Sequence, residues 1–154
     1  MSLVAAIRPD DWNFPLLVHI VGAALLVGGL VTAVTALLLG WQRDARWYSR
    51  LGFRALVFIA LPAWFVMRLG AQWIYSKEGW SGDNDPDWLG IGYLTADLGG
   101  LLLLLSIILT GLGVRQLGNA DRDSSVLVRI GSVLAVLVLL AYVVAVWAMS
   151  GKPG

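Results

Sequence analysis

Four long apolar runs limit what this chain can fold into. They are Phe14–Gly40, Phe53–Tyr75, Leu89–Val114 and Val126–Met149, of 27, 23, 26 and 24 residues. A helix that crosses a bilayer needs about 20 mostly apolar residues, so each run is long enough to span. Together they take 100 of the 154 residues, and no segment outside them can bury a soluble core. Within hydrocarbon the backbone must satisfy its own hydrogen bonds, which a helix does locally. The expected fold is all-α: a transmembrane four-helix bundle, up-down-up-down, forming one domain over residues 1–154. Composition agrees. Hydrophobic residues make up 58% and charged residues 14%, against roughly 25% charged in a soluble domain, too little polar surface to coat a globule.

Charge and motifs narrow the function. The formal net charge is +1, so no strong field draws in nucleic acid. There is no cysteine, which removes disulfides, Cys-ligated metals and thiol catalysis. The sequence carries no Gly-rich phosphate loop, nucleophile elbow or paired metal motif, and we do not read it as an enzyme. The lipid bilayer is the one partner the composition demands.

Local signals mark the ends of the spans. Asn13 and Pro15 suit the start of the first helix; Asp85–Pro86 repeats that grammar before the third, and Asp123 and Ser124 can cap the fourth. Gly118–Asn119 can stop the third. Pro62, inside the second span, removes one backbone hydrogen bond and predicts a kink there. The first eleven residues carry Arg8, Asp10 and Asp11, and the apolar run after them is too long for a signal-peptide core, so no cleavable signal is expected.

Orientation follows from Lys and Arg in short loops. One side of the bundle gathers Arg43, Arg46, Arg50, Arg54, Arg115, Arg122 and Arg129. The other has Arg8, Lys77 and Lys152 among six carboxylates. The basic side is expected to be cytoplasmic, placing both termini outside a bacterial cytoplasmic (inner) membrane. Trp12, Trp73, Trp80, Trp88 and Trp147 then form an outer aromatic belt, and Trp41, Trp47 and Tyr48 an inner one.

Inside the spans, ionisable groups are few. With Arg54 and Arg129 near the inner ends, where they can snorkel, three remain: His19, Arg68 and Asp97. Such groups are costly in hydrocarbon, face the bundle interior as a rule and are functional candidates by default. Counted from the outer ends, they and Tyr142 lie about 7–12 Å deep at 1.5 Å per residue. Each helix thus sends one polar group into the same layer. Trp64, Gln72 and Tyr75 share the Arg68 face at helical spacing, and Tyr93, Gly90 and Gly100 share the Asp97 face. We expect His19, Arg68, Asp97, Tyr142, Trp64, Gln72 and Tyr93 to line a narrow ligand pocket opening outward, floored by the Leu101–Leu105 run. A structural Arg68–Asp97 ion pair locking two helices, and a His19 merely bonded to a neighbour, are the plainer readings of the same residues.

The first helix, with His19, the small patch Gly22–Ala24 and the pair Gly28–Gly29, resembles the opening helix of copper-resistance D-type membrane domains and of related small bacterial membrane proteins. The stretches Leu61–Arg68 and Trp88–Gly100 resemble uncharacterised actinobacterial four-helix membrane proteins. The first likeness implies a copper role, toward which this chain offers one histidine; the second implies the four-helix fold and no activity. Three functions stay open. One is the binding or conduction of a small ligand or ion in the polar layer. Another is a redox subunit holding a quinone or haem, for which the single histidine is a poor bis-histidine set. The third is an accessory or assembly subunit whose stripes Ala24/Gly28, Gly29/Ala33 and Gly131/Ala135 face lipid and dock a partner membrane subunit or a second copy of the chain. The cofactor, if one is held, is not specified by the sequence.

Overall fold

The computed structural model describes residues 13–42, 45–78, 87–119 and 125–150. All their regular structure is helical: α1 (Asn13–Leu39), α2 (Ala45–Ala55), a π-helical turn (Leu56–Ala60), α3 (Leu61–Glu78), α4 (Asp87–Asn119) and α5 (Val126–Ser150). α2, the π turn and α3 follow one another without a break, so the chain has four rods. All four are long and apolar enough to cross a membrane, the pattern of a multi-pass membrane protein.

The second and third rods are longer than their apolar runs. Hydropathy marks the stretch that tolerates hydrocarbon, not where helical hydrogen bonding stops. α2 begins at Ala45, eight residues before the apolar run, because Arg46, Arg50 and Arg54 recur every fourth residue on an exposed stripe while Ser49, Gly52 and Ala55 are buried. α4 ends at Asn119, beside the Gly118–Asn119 stop signal. Arg46 closes that end: its Nε and Nη2 donate to the Leu117 carbonyl at 3.1 and 2.7 Å, a cation supplied to the negative end of a helix. The proposed caps Asp85–Pro86, Asp123 and Ser124 lie outside the described residues, as do Arg8, Trp12, Arg43, Trp80, Arg122 and Lys152 and the side chain of Trp88.

The distortion expected at Pro62 takes the form of the π turn just before it. Proline at 62 cannot donate to the Phe58 carbonyl and its ring would press on that turn. The chain widens there: the Leu61 N–H bonds five residues back, to the Leu56 carbonyl. The wider turn lies against α1 at Gly29, where a Cβ would come within 2.8 Å of Ile59 and 3.0 Å of the Ala60 nitrogen.

The rods meet through small residues. α1 packs along α2, the π turn and α3, and also along α5; α4 packs along α5 and, near its end, along α2; α3 and α4 make few close backbone approaches. Between the first and second rods, and between α4 and α5, early residues of one meet late residues of the other. Gly22 lies on the Met67 backbone and Gly70 on the His19 backbone, where a Cβ on Gly70 would sit 2.6 Å from the His19 nitrogen. Between α4 and α5, Gly113 meets Val128, Gly131 meets Thr110, and Ser106 Oγ donates to the Gly131 carbonyl at 2.7 Å. Lipid tails are as apolar as leucine, so close van der Waals contact and interhelical hydrogen bonds hold such seams. Leu26, Leu30, Leu37, Leu56, Leu103, Leu117 and Val138 fill the core.

Two of the three small-residue stripes expected to face lipid do not. Gly29 and Ala33 are buried against α2 and the π turn, and Gly131 and Ala135 are buried against α4. These stripes are used up inside the bundle, because a glycine in a spanning helix serves an internal seam as readily as an external one. Only Ala24/Gly28 stays exposed, with nothing within 4 Å of a Cβ at Gly28. The outside is otherwise rich in exposed large apolar side chains, among them Phe58, Leu69, Leu94 and Val144, more than soluble monomers present to water. Trp73 and Trp147 lie exposed toward one end, and Trp41 and Trp47 toward the other.

Candidate functional site

α3 sorts its residues onto two faces at 100° per residue. Ala63, Met67 and Gly70 are the small or slim residues set toward α1. Trp64, Arg68, Gln72 and Tyr75 share a face turned about a third of a revolution away, and they bridge the gap to α4 with long side chains. Arg68 Nε donates to Asp97 Oδ1 at 3.0 Å. Its Nη1 lies 3.4 Å from Gln72 Oε1, and its guanidinium sits 4.6 Å from the centre of the Tyr93 ring. Tyr75 meets Tyr93 edge to face at 5.7 Å. A guanidinium with an acceptor on one edge and an aromatic face beneath it is fixed in orientation.

Beside the pair, the Ala96 carbonyl ties three helices together. It accepts from Trp64 Nε1 on α3 at 3.0 Å and from Tyr142 Oη on α5 at 3.3 Å. Glycines make room for both rings: a Cβ at Gly100 would lie 2.5 Å from the Trp64 ring, and one at Gly99 would lie 2.9 Å from the Tyr142 hydroxyl. Of the seven candidates, Arg68, Asp97, Trp64, Gln72, Tyr93 and Tyr142 are therefore brought together around the N-terminal half of α4.

His19 stands apart. Its Nδ1 lies 3.0 Å from the Met67 carbonyl on the α1–α3 seam. A carbonyl can only accept, so Nδ1 is the donor. The plainer reading of this histidine is the one its geometry fits: a polar group bonded to a neighbouring backbone.

The layer also opens differently from the expected pocket. Asp97 is 61% exposed and Arg68 25% exposed. Leu94, Leu98 and Leu101, the helical neighbours of Asp97, are exposed too. The pair thus lies in the flank between α3 and α4 rather than on the bundle axis. Of the Leu101–Leu105 run only Leu103 is fully buried, while Leu101, Leu104 and Leu105 face outward. A run of five leucines winds through more than a full helical turn, so it cannot floor a pocket as a unit.

The sequence did not point to the Ala96 carbonyl, because a backbone acceptor has no side-chain signature. The nearest signal was the Gly99–Gly100 pair at the depth of two large aromatic rings. Compared with known proteins, the chain matches no family model, and no curated sequence or solved structure is significantly similar to it. The reading of the site rests on its own residues.

Proposed function

We propose that this chain is an integral protein of a bacterial cytoplasmic membrane, up-down-up-down with both termini outside, which binds or conducts a small polar ligand or ion in the layer around Arg68 and Asp97. The observation that carries the reading is the incompleteness of that pair. A guanidinium has five N–H donors and a carboxylate about four acceptor positions. Here one oxygen meets one nitrogen, Gln72 takes a second donor weakly, and Asp97 is open on its flank. A purely structural lock would be expected to be bidentate and closed. The arrangement offers donors and an acceptor side by side, next to Tyr93, without a nucleophile poised for chemistry, and we read it as a binding site and not a catalytic one.

A density map of the protein in lipid nanodiscs tests this. Ordered non-protein density within hydrogen-bond distance of the Arg68 Nη atoms or of Asp97 Oδ2 is the expected result. Acyl chains packed directly over the pair would overturn it.

The orientation has its own test. A single cysteine replacing Ser81 should react with an impermeant thiol reagent on intact cells, and one replacing Gln42, exposed at the basic end, should not. The reverse pattern would invert the protein in the membrane.

A second reading, an accessory subunit, is favoured by the exposed face of α1. Ala24, Gly28 and Thr32 follow one another at four-residue spacing, and Thr32 Oγ1 turns back onto the Gly28 carbonyl at 2.9 Å, leaving a smooth, shallow strip for a partner helix. A stoichiometric partner in gently solubilised preparations, lost on Gly28→Leu, would select it. A Soret band in the purified protein would instead select a haem-binding subunit.

A further inference from the structure

We propose that the exposed side of the α2–α4 seam at the basic end is a binding site for an anionic phospholipid, its phosphate held by Arg50, Arg54 and Arg115. Contacts fix how the two helices face each other. Phe53 covers Gly111, where a Cβ would lie 2.8 Å from its ring, and Arg50 Nη2 lies 3.8 Å from a Cβ at Gly118. Arg46 caps the Leu117 carbonyl. The contact line on α2 therefore runs through Arg46, Arg50 and Phe53, and that on α4 through Gly111 and Gly118. At 100° per residue, Arg54 is turned roughly 70° off its line and Arg115 roughly 50° off its own, both in the same rotational sense. In helices running past each other in opposite directions, equal senses of rotation point to the same side of the seam. Along the axis Arg115 falls between the levels of Arg50 and Arg54.

Three guanidinium groups are thus gathered on one side of one seam. All three residues are exposed, and among the described residues no carboxylate pairs with any of them. Like charges on one side of a seam repel over a screening length of about 8–10 Å; an anion between them would remove that penalty. Guanidinium forks suit phosphate oxygens, which they bind in pairs.

The surface that continues from the arginines toward the middle of the span decides between a lipid and a free anion. Leu104, Ile108 and Leu112 are exposed on the Arg115 side of α4, and Phe58 is exposed just beyond Arg54. A phosphate at the arginines would have its acyl chains lying along these side chains. Free phosphate uses only the first half of such a site. Basic pockets between spanning helices at the headgroup level are suited to anionic lipids on physical grounds.

Native mass spectrometry of the protein released from nanodiscs tests the site. The nanodiscs contain phosphatidylcholine with one fifth cardiolipin, or with one fifth phosphatidylglycerol. The wild-type chain is expected to retain the anionic lipid through release, and the variant Arg50→Gln/Arg54→Gln/Arg115→Gln to retain about tenfold less or lower still. Circular dichroism in pure phosphatidylcholine verifies that the variant is folded. Should it not fold, Arg115→Gln alone carries the test, with a loss of about threefold or more. Equal retention by wild type and folded variant overturns the proposal. So does protection of the wild type against heating in phosphatidylcholine by inorganic phosphate to the same degree as by anionic lipid, since the ligand would then be free phosphate. The measurement is made in nanodiscs, so its outcome is independent of which way the protein faces in a cell and of what the Arg68 layer binds.

Discussion

Asp97→Leu is expected to lower the thermal unfolding midpoint in detergent sharply, Arg68→Leu less so, and the double variant by less than the two singles combined. Removing one partner of a buried ion pair strands the other charge, at about 3–5 kcal/mol. Asp97 is 61% exposed and Arg68 25% exposed, so the penalty falls unequally. Without Asp97, the more enclosed guanidinium keeps only Gln72 at 3.4 Å and the face of Tyr93. Without Arg68, the carboxylate is left on an open flank, where its side chain is free to turn away from the seam. Partial exposure puts both singles toward or below the lower end of that range, about 2–3 kcal/mol for Asp97→Leu. The double variant leaves neither charge behind and is milder. Strict additivity of the two singles would mean that the two groups do not support each other.

Gly22→Ala and Gly70→Ala are expected to be as damaging as the loss of a charge, although each adds one methyl group. The methyl at 22 would press on the Met67 backbone, and that at 70 would lie 2.6 Å from the His19 nitrogen. Backbone cannot rotate aside as a side chain can, so α1 and α3 must separate. Overpacking of this kind costs about 1–3 kcal/mol, and the separation also stretches the His19–Met67 bond. The two changes together should cost less than their sum, because the first already parts the helices. Gly28→Ala is the control. It meets nothing within 4 Å and should be neutral or stabilise by up to about 1 kcal/mol through helix propensity. Midpoints that rank Gly22→Ala with Gly28→Ala would mean that the α1–α3 seam is looser than described.

The contrast among these three glycines shows what could be read from sequence and what could not. The four spans were legible because hydrophobicity over twenty residues is a coarse, redundant signal. The Arg68–Asp97 meeting was legible because only two charges lay deep at matching depth on consecutive helices. Nothing in the local sequence separates Gly22 from Gly28, both flanked by small aliphatic residues, since which side of α1 meets α3 depends on all four helices together. The same holds for His19, whose partner is a carbonyl, and for the sideways opening of the Asp97 face. Helix ends were misplaced where charged residues extend a helix beyond the hydrocarbon: Arg46 lies outside the apolar run and still closes the end of α4. Pro62 announced a distortion but not the π turn before it, because a missing donor does not specify how the preceding carbonyls are met.

The uneven closeness of the seams gives the bundle a mechanical grain. Where α1 meets α3 and where α5 meets α4, backbone touches backbone through glycine; where α3 faces α4, long side chains do most of the reaching across. The molecule resembles a book with its stiff boards along α1–α3 and α4–α5, stitched along the α1–α5 side and at the Arg46 end. Its fore-edge is held shut by a clasp of Arg68, Asp97 and Trp64. Local opening follows the line of fewest packed contacts, so the first page to lift is the fore-edge. On the binding role proposed above, a ligand would reach the pair sideways through the α3–α4 flank, where Asp97 is open.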